Sequence, residues 1–261
     1  MIHRKNQKEI DLMRESCRIV SDVHRLLAPL CKAGARLSDL DAMAEDFIRA
    51  NGGRPAFKGY PAPSRSVSAF PSTLCVSIDD EVVHGIPGER VIQDGEMVSI
   101  DVGVEKNGWY GDGAMTVIVG KGTPEKERLL AVTRESLFRG IECAAPGKRL
   151  GDVSAAVQAH VEENGFSVVR DLVGHGIGKN LHEDPPVPNF GRAGTGPELQ
   201  PGMTLAIEPM VNYGGYQVRI ASNGWTVLTR DASASAHFEH TVLITDNGAV
   251  TLTDHFTRDN G

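Results

Sequence analysis

The stretch Val98 to Thr116, VSIDVGVEKNGWYGDGAMT, sets two carboxylates by spacing alone. Val98, Ile100, Val102 and Val104 alternate with Ser99, Asp101 and Gly103, the period-2 pattern of a half-buried strand. Asn107-Gly108 follows, a favoured pair for the two-residue type I′ turn, where both positions need φ > 0. With that turn Lys106 pairs with Trp109, Gly103 lies opposite Asp112, and Asp101 lies opposite Ala114. The two aspartates then share one face as diagonal neighbours, roughly 7–8 Å apart between Cα atoms. Two carboxylates converging above an apolar face are the start of a metal site. Taken alone, the pair also fits a turn or a sheet edge, where Asp is common.

The remaining candidates come later in the chain. Glu208 follows the alternating Met203, Leu205 and Ile207, so it points away from their apolar face. Glu239 lies in HFEHTVLI, a strand pattern whose apolar members also share one side. His175 is framed by Gly174 and Gly176, which leave room for close approach to a ligand. Four carboxylates with one imidazole repel one another unless cations neutralise them. Oxygen-rich ligation by Asp101, Asp112, Glu208 and Glu239, plus one nitrogen from His175, suits two divalent ions such as Mn, Fe, Co or Zn. Such a pair can hold a hydroxide at neutral pH and polarise a carbonyl.

With 34 acidic residues in the chain, an arbitrary carboxylate is a solvated surface charge, so shared register has to single these out. His3, His24, His160 and His255 carry no functional signal. His182, seven residues beyond His175 in a Gly- and Pro-rich loop, is within reach of the same cleft. His237 and His240 flank Glu239, and alternation puts His240 on the opposite strand face. Cys75 reads as an apolar pocket or core residue, because no His-Asp partner lies near it in sequence.

Four helices and several strands must position these groups. Ile10, Met13, Cys17, Val20, His24 and Leu27 recur at helical spacing, predicting a helix from Lys8 to about Leu30. Ser38 is the candidate N-cap of a second, stopped by Asn51-Gly52. Arg54 to Pro71 reads as an irregular loop or lid, and Leu74 to Val83 as one strand region closed by His84-Gly85-Ile86-Pro87. Thr123-Pro124 opens a third helix as N-cap and first residue, ended by Pro146-Gly147. Asp152 to Glu163 is the fourth, stopped by Asn164-Gly165. Short strands and turns follow.

A repeat runs through this order. Shifted by 113, GARLSDLDAMAEDFIRANG (34–52) lies on GKRLGDVSAAVQAHVEENG without a gap. Shifted by 107, Asp94 to Asp101 lies on Pro201 to Glu208. His84-Gly-Ile-Pro resembles His175-Gly-Ile-Gly. The repeat implies two helix-helix-strand halves, about 1–120 and 121–261, within one α+β domain whose helices cover one face of a curved antiparallel sheet. It also makes Glu208 the counterpart of Asp101 across a pseudo-two-fold axis.

Bulk properties narrow the function classes. A 261-residue chain with 40% apolar and 23% charged residues is an ordinary globular composition. A net charge of −7 gives nucleic-acid binding no electrostatic support. The four dispersed cysteines suggest a reducing compartment. The start MIHRKNQKEIDLM has no apolar h-region, and no stretch reaches the length of a membrane span. The expectation is a cytoplasmic protein without membrane attachment.

Together, Val82-Val-His-Gly-Ile-Pro87, Ile100-Asp101, Gly111-Asp112, Gly174-His-Gly-Ile-Gly178, His182-Glu183, Ile207-Glu-Pro-Met210 and Phe238-Glu-His-Thr241 resemble type I methionine aminopeptidases, M24 metallopeptidases, along nearly the whole chain. The resemblance implies the pita-bread fold and a dinuclear metal centre held by Asp101, Asp112, His175, Glu208 and Glu239. It implies Glu208 as general base, with His84 and His182 contacting substrate and stabilising the tetrahedral intermediate. Cys75 and Trp225 match methionine-pocket positions, with Tyr60 and Phe70 aligned around a longer loop, YPAPSRSVSAF. The implied activity removes the initiator methionine from nascent proteins when the second residue is small, by a monomer acting near the ribosome. The short form resembles bacterial enzymes. Two departures are Leu181, where the family often has an aromatic residue, and Asp79-Asp80, where Asn and Glu are commoner. A proline-directed relative and a non-catalytic binding module of the same fold are the competing readings; the first usually carries a further N-terminal domain, and the second usually loses ligands.

Overall fold

The computed structural model describes residues 2–258 except 63 and 65, two positions in the long loop. Its first helix, α1 (Gln7–Leu27), opens on a capping box: Asn6 Oδ1 accepts from Glu9 N at 3.1 Å, and Glu9 Oε2 accepts from Asn6 N at 2.9 Å. Its apolar spacing delivers Ile10, Met13, Cys17, Val20 and Leu27 to the interior. Pro29 then tightens the chain into a 3₁₀ turn, Ala28–Leu30, so the helix ends short of Leu30.

The second helix, α2 (Leu37–Ala50), is capped at Arg36 rather than Ser38. Leu37 N and Ser38 N donate to Arg90 O and Gly88 O, so a neighbouring loop satisfies these donors and no side-chain cap is needed. The third, α3 (Pro124–Cys143), starts as expected, with Thr123 Oγ1 accepting from Lys126 N, and ends at Cys143, before Pro146-Gly147. The fourth, α4 (Leu150–Glu163), begins two residues before Asp152, whose Oδ2 accepts from Arg149 N at 2.7 Å. Asn164 caps it, and Gly165 takes φ +79°.

Leu74 to Val83 forms two strands, Cys75–Ile78 and Glu81–Val83. Asp79 breaks the run by adopting φ +54°, and its Oδ1 accepts from Met97 N at 3.1 Å and Lys126 Nζ at 2.6 Å. Those tertiary partners outweigh the apolar run, so this stretch turns where the sequence pattern reads straight.

Among the described residues the main sheet has nine strands, with all pairs antiparallel. At its centre Met97–Lys106 pairs with Trp109–Ile118 in the predicted register: Lys106 with Trp109, Gly103 with Asp112, Asp101 with Ala114. Asn107 and Gly108 have φ +55° and +78°, the two positive values a type I′ turn requires. Next in the sheet come Glu239–Thr245, Thr204–Ile207, Gly174–Gly176 and Glu183–Val187. One apolar cluster packs α1 and α2 against the first-half strands, and a second packs α3 and α4 against Thr204–Ile207 and Glu239–Thr245.

The contacts at α2 recur at α4. Leu37 N to Arg90 O (3.0 Å) and Ile92 N to Ala35 O (2.8 Å) are matched by Leu150 N to Pro197 O (3.0 Å) and Leu199 N to Lys148 O (2.8 Å). Isolated bridges Arg36–Val91 and Arg149–Glu198 complete the pattern. Among the described residues no helix is long and apolar enough to cross a membrane.

Candidate metal centre

Three adjacent strands bring the first carboxylates into one row. Ala114 pairs with Asp101 on one side and with Glu239 on the other, so those two acids flank it. Asp112 lies two residues back on the middle strand, where pleating returns its side chain to the same face. On the next strand Ala206 pairs with His175, and Glu208 lies two residues beyond. The glycines around His175 serve close packing. A Cβ at Gly174 would lie 2.3 Å from Ala206 O, and one at Gly176 would lie 2.2 Å from Asp184 O.

Ligand atoms of Asp112, His175 and Glu239 fall within 4.8 Å of one another. His175 Nε2 is 3.9 Å from Asp112 Oδ2 and 3.6 Å from Glu208 Oε1. Its Nδ1 is 2.9 Å from Gly176 O, which fixes the hydrogen on Nδ1 and leaves the Nε2 lone pair facing the carboxylates. Asp101 Oδ1 and Glu239 Oε1 are buried without a hydrogen-bond partner among the described residues.

Burial pushes all four carboxyls above their ordinary values, and the Asp112 charge raises Asp101, Glu208 and Glu239 further. Burial also lowers His175 to about 3 and His84 to about 4. Crowded acids with orphaned oxygens and a neutral imidazole fit divalent cations, whose charge and open coordination would satisfy each of these groups.

The centre forms part of the wall of a pocket of about 130 Å³. Its walls include Tyr60, Phe70, Cys75, His84, His182 and Trp225, so every residue expected there reaches it. Cys75 is buried opposite Asp101 in register, and burial followed by the Asp101 charge holds it as a thiol. His84, just past the Glu81–Val83 strand, adopts φ +59°, an uncommon conformation for a non-glycine residue, and lines the pocket. Gly85 follows because a Cβ there would lie 2.1 Å from Val76 O. Phe70 and Trp225 meet edge to face at 5.2 Å between centroids. The long loop closes at its neck, with Gly59 N to Phe70 O at 2.8 Å and Phe70 N to Tyr60 O at 3.0 Å, which keeps both aromatic ends in the wall.

One residue near the site escapes sequence reasoning, and another is noted there only as flanking Glu239. Phe57 lines the pocket; the signal is Gly103, where a Cβ would meet Phe57 Cε1 at 2.7 Å. His237 is buried, with Nε2 3.7 Å from Glu208 Oε2 and no hydrogen-bond partner among the described residues. Its place two residues before Glu239 is the only sequence signal. His240 points away and stacks on Phe256 at 4.2 Å, as alternation predicts.

The family model for metallopeptidase family M24 matches residues 11–246. A methionine aminopeptidase of Clostridium perfringens is 50% identical over 97% of this chain and 99% of its own length. Methionine aminopeptidase 1 of Bacillus subtilis is 47% identical over 97% and 99%. The crystal structure of a methionine aminopeptidase from Thermotoga maritima superposes with a TM-score of 0.93 at 44% identity, covering 97% of this chain and 99% of that one. A prolidase from Pyrococcus furiosus shares the fold at a TM-score of 0.77 and 23% identity, over 97% of this chain and 66% of its own. These likenesses confirm the pita-bread fold, and the chain belongs to metallopeptidase family M24, among its bacterial type I methionine aminopeptidases.

Proposed function

We propose that the chain removes the initiator methionine from nascent proteins whose second residue is small. The observation that carries this reading is a crowded acid-and-imidazole centre at the floor of an apolar, thiol-lined pocket. Asp101, Asp112, His175, Glu208 and Glu239 would hold two divalent ions, of Co, Mn, Fe or Zn. When bound, such ions supply Lewis acidity and a water deprotonated near neutral pH. Glu208 acts as general base, taking the proton of the attacking water on its carboxylate. His84 and His182 donate N–H groups to the oxygen that gains negative charge. Phe70, Cys75, Tyr60 and Trp225 receive the methionine side chain, a soft apolar group that suits aromatic and sulfur neighbours.

A second cleft shares Tyr60, Leu181 and His182 with the pocket and runs past Ala56 and Tyr110. We assign it to the departing peptide, and the bulk of Tyr60 and Leu181 at the junction favours a small second residue. The same reading makes the chain one catalytic domain of two related halves, a cytoplasmic monomer acting near the ribosome without nucleic-acid specificity. The recurring contacts of α2 and α4 support the duplication.

The test is direct. Protein stripped of metal and reloaded with Mn or Co should release Met from a Met-Ala-Ser peptide, and silence with every divalent ion would sink the proposal. Glu208→Gln should keep the fold and lose most turnover; a near-wild-type rate would remove Glu208 as the base.

A further inference from the structure

The Lys5 side chain is 1% exposed, and its Nζ lies 2.7 Å from Oε2 of Glu183, 178 residues along the chain. The other carboxylate oxygen accepts from Asn180 N at 3.1 Å. One carboxylate therefore closes the turn Asn180–Glu183 from inside while the ammonium holds it from beneath. His182 is the third residue of that turn, and Leu181 beside it is buried. Packing around the pair is tight. A Cβ at Gly178 would lie 2.5 Å from Lys5 Cε and 2.9 Å from both Glu183 carboxylate oxygens, so any side chain there would have to displace the ion pair. Lys5 is itself fixed, because its backbone N donates to Gly202 O at 2.7 Å and Arg4 Nη1 donates to Gln200 Oε1 at 2.9 Å. The N-terminal arm thus spans from the turn preceding the Thr204–Ile207 strand, whose end carries Glu208, to the turn that presents His182.

We infer that Lys5 is a positioning residue, acting through Glu183 to hold the turn Asn180–Glu183 so that His182 stays against His175 at the pocket mouth. The two imidazole centroids are 4.3 Å apart, edge to face. The inference rests on the proposed role of His182. The Glu183 side chain is 13% exposed, so little solvent reaches it in place to replace a lost ammonium. Without Lys5 it turns outward to reach water, which releases Asn180 N and loosens the turn. A lysine serving only through its apolar stem would tolerate methionine, which keeps the stem and removes the charge.

The experiment uses the full-length, metal-loaded protein with Lys5→Met, Lys5→Arg and the double variant Lys5→Met/Glu183→Met. Amide hydrogen exchange across 178–184 reads the turn, and Met-Ala-Ser hydrolysis gives kcat and KM separately. Lys5→Met should speed exchange at Asn180 to Glu183 and lower kcat on the order of 10-fold, with KM changed far less. Lys5→Arg should restore most of both. The double variant, which leaves no unpaired charge, should recover thermal stability without recovering kcat. Unchanged exchange across 178–184 in Lys5→Met overturns the link to the turn, whether or not the wild type cleaves the peptide. Faster exchange with wild-type kcat overturns the link to His182 and leaves Lys5 a structural residue.

Discussion

Tyr60 Oη lies 2.7 Å from Nδ1 of His182, with the phenol edge toward the imidazole at 5.3 Å between centroids. A phenol donating to Nδ1 places the hydrogen of the neutral imidazole on Nε2. Burial lowers the His182 pKa, which favours that neutral form. Only the tautomer carrying Nε2–H can donate from Nε2 to a developing oxyanion, so under the proposed role of His182 this phenol would select the competent form. Tyr60→Phe should reduce kcat on Met-Ala-Ser about fivefold, the worth of one neutral hydrogen bond. The ring is kept, so KM should move little, and an unchanged kcat would reduce Tyr60 to a wall of the pocket.

Stability of the metal-free protein should depend on pH above neutrality. A carboxyl raised in the folded state contributes stability that is complete below its unfolded value and lost as pH rises through its folded value. Asp112 is raised from 3.8 to about 7, and Asp101, Glu208 and Glu239 are raised well above their ordinary values. The buried histidines act in the opposite sense. His24 is lowered to about 4 and His237 and His240 to about 3, so their contribution is present above 6.5 and lost as pH falls. Below 6.5 the two effects compete, and above it only the carboxylates act. Calorimetry on metal-free protein should show Tm falling as pH rises above about 6.5, with added Mn removing most of the fall. A flat metal-free profile would mean that burial does not favour the protonated acids.

How much of this was legible follows from how local each cause is. Asn107-Gly108 sets the register of its hairpin within a few residues, so Asp101 and Asp112 could be placed from sequence. Their partners need information from elsewhere in the chain: the repeat at a shift of 107 points to Glu208, strand alternation and flanking glycines single out Glu239 and His175, and the family resemblance joins all five in one centre. The α2 start was misread at Ser38 because its first donors are satisfied by carbonyls of Gly88 and Arg90, about 50 residues away. Asp79 bends what reads as one strand because Lys126 and Met97 N bind its carboxylate. Lys5 gave no signal, since its partner is set only when the arm folds back along the Thr204–Ile207 strand.

Gly111 has a packing reason as well as a motif. A Cβ there would lie 2.7 Å from Cys17 N and 2.9 Å from Cys17 Cα and Sγ, all within α1. A helix backbone cannot yield as a flexible side chain would, so Gly111→Ala must shift α1 or the strand. We expect a loss of about 1–3 kcal/mol, seen as a lower urea midpoint with an unchanged slope. Because Asp112 is the next residue, metal affinity should weaken in the same variant. Wild-type stability would show that α1 rides loosely on the sheet.

The Glu208 carboxylate lies between two imidazoles, with Oε1 3.6 Å from His175 Nε2 and Oε2 3.7 Å from His237 Nε2. Under the proposed ligation the His175 nitrogen would be committed to a metal ion, and we propose that His237 then orients Glu208. Groups in this relation to a ligand typically change metal affinity by about 10–100-fold when removed. His237→Leu should therefore weaken Co binding by calorimetric titration within that range, while leaving Tm of the metal-free protein near the wild-type value. His237→Gln, which keeps a donor of similar reach, should bind Co almost as the wild type does. Wild-type affinity in both variants would mean that His237 only fills space behind Glu208. A loss shared by both would mean that ring shape, rather than the N–H, is what the site requires.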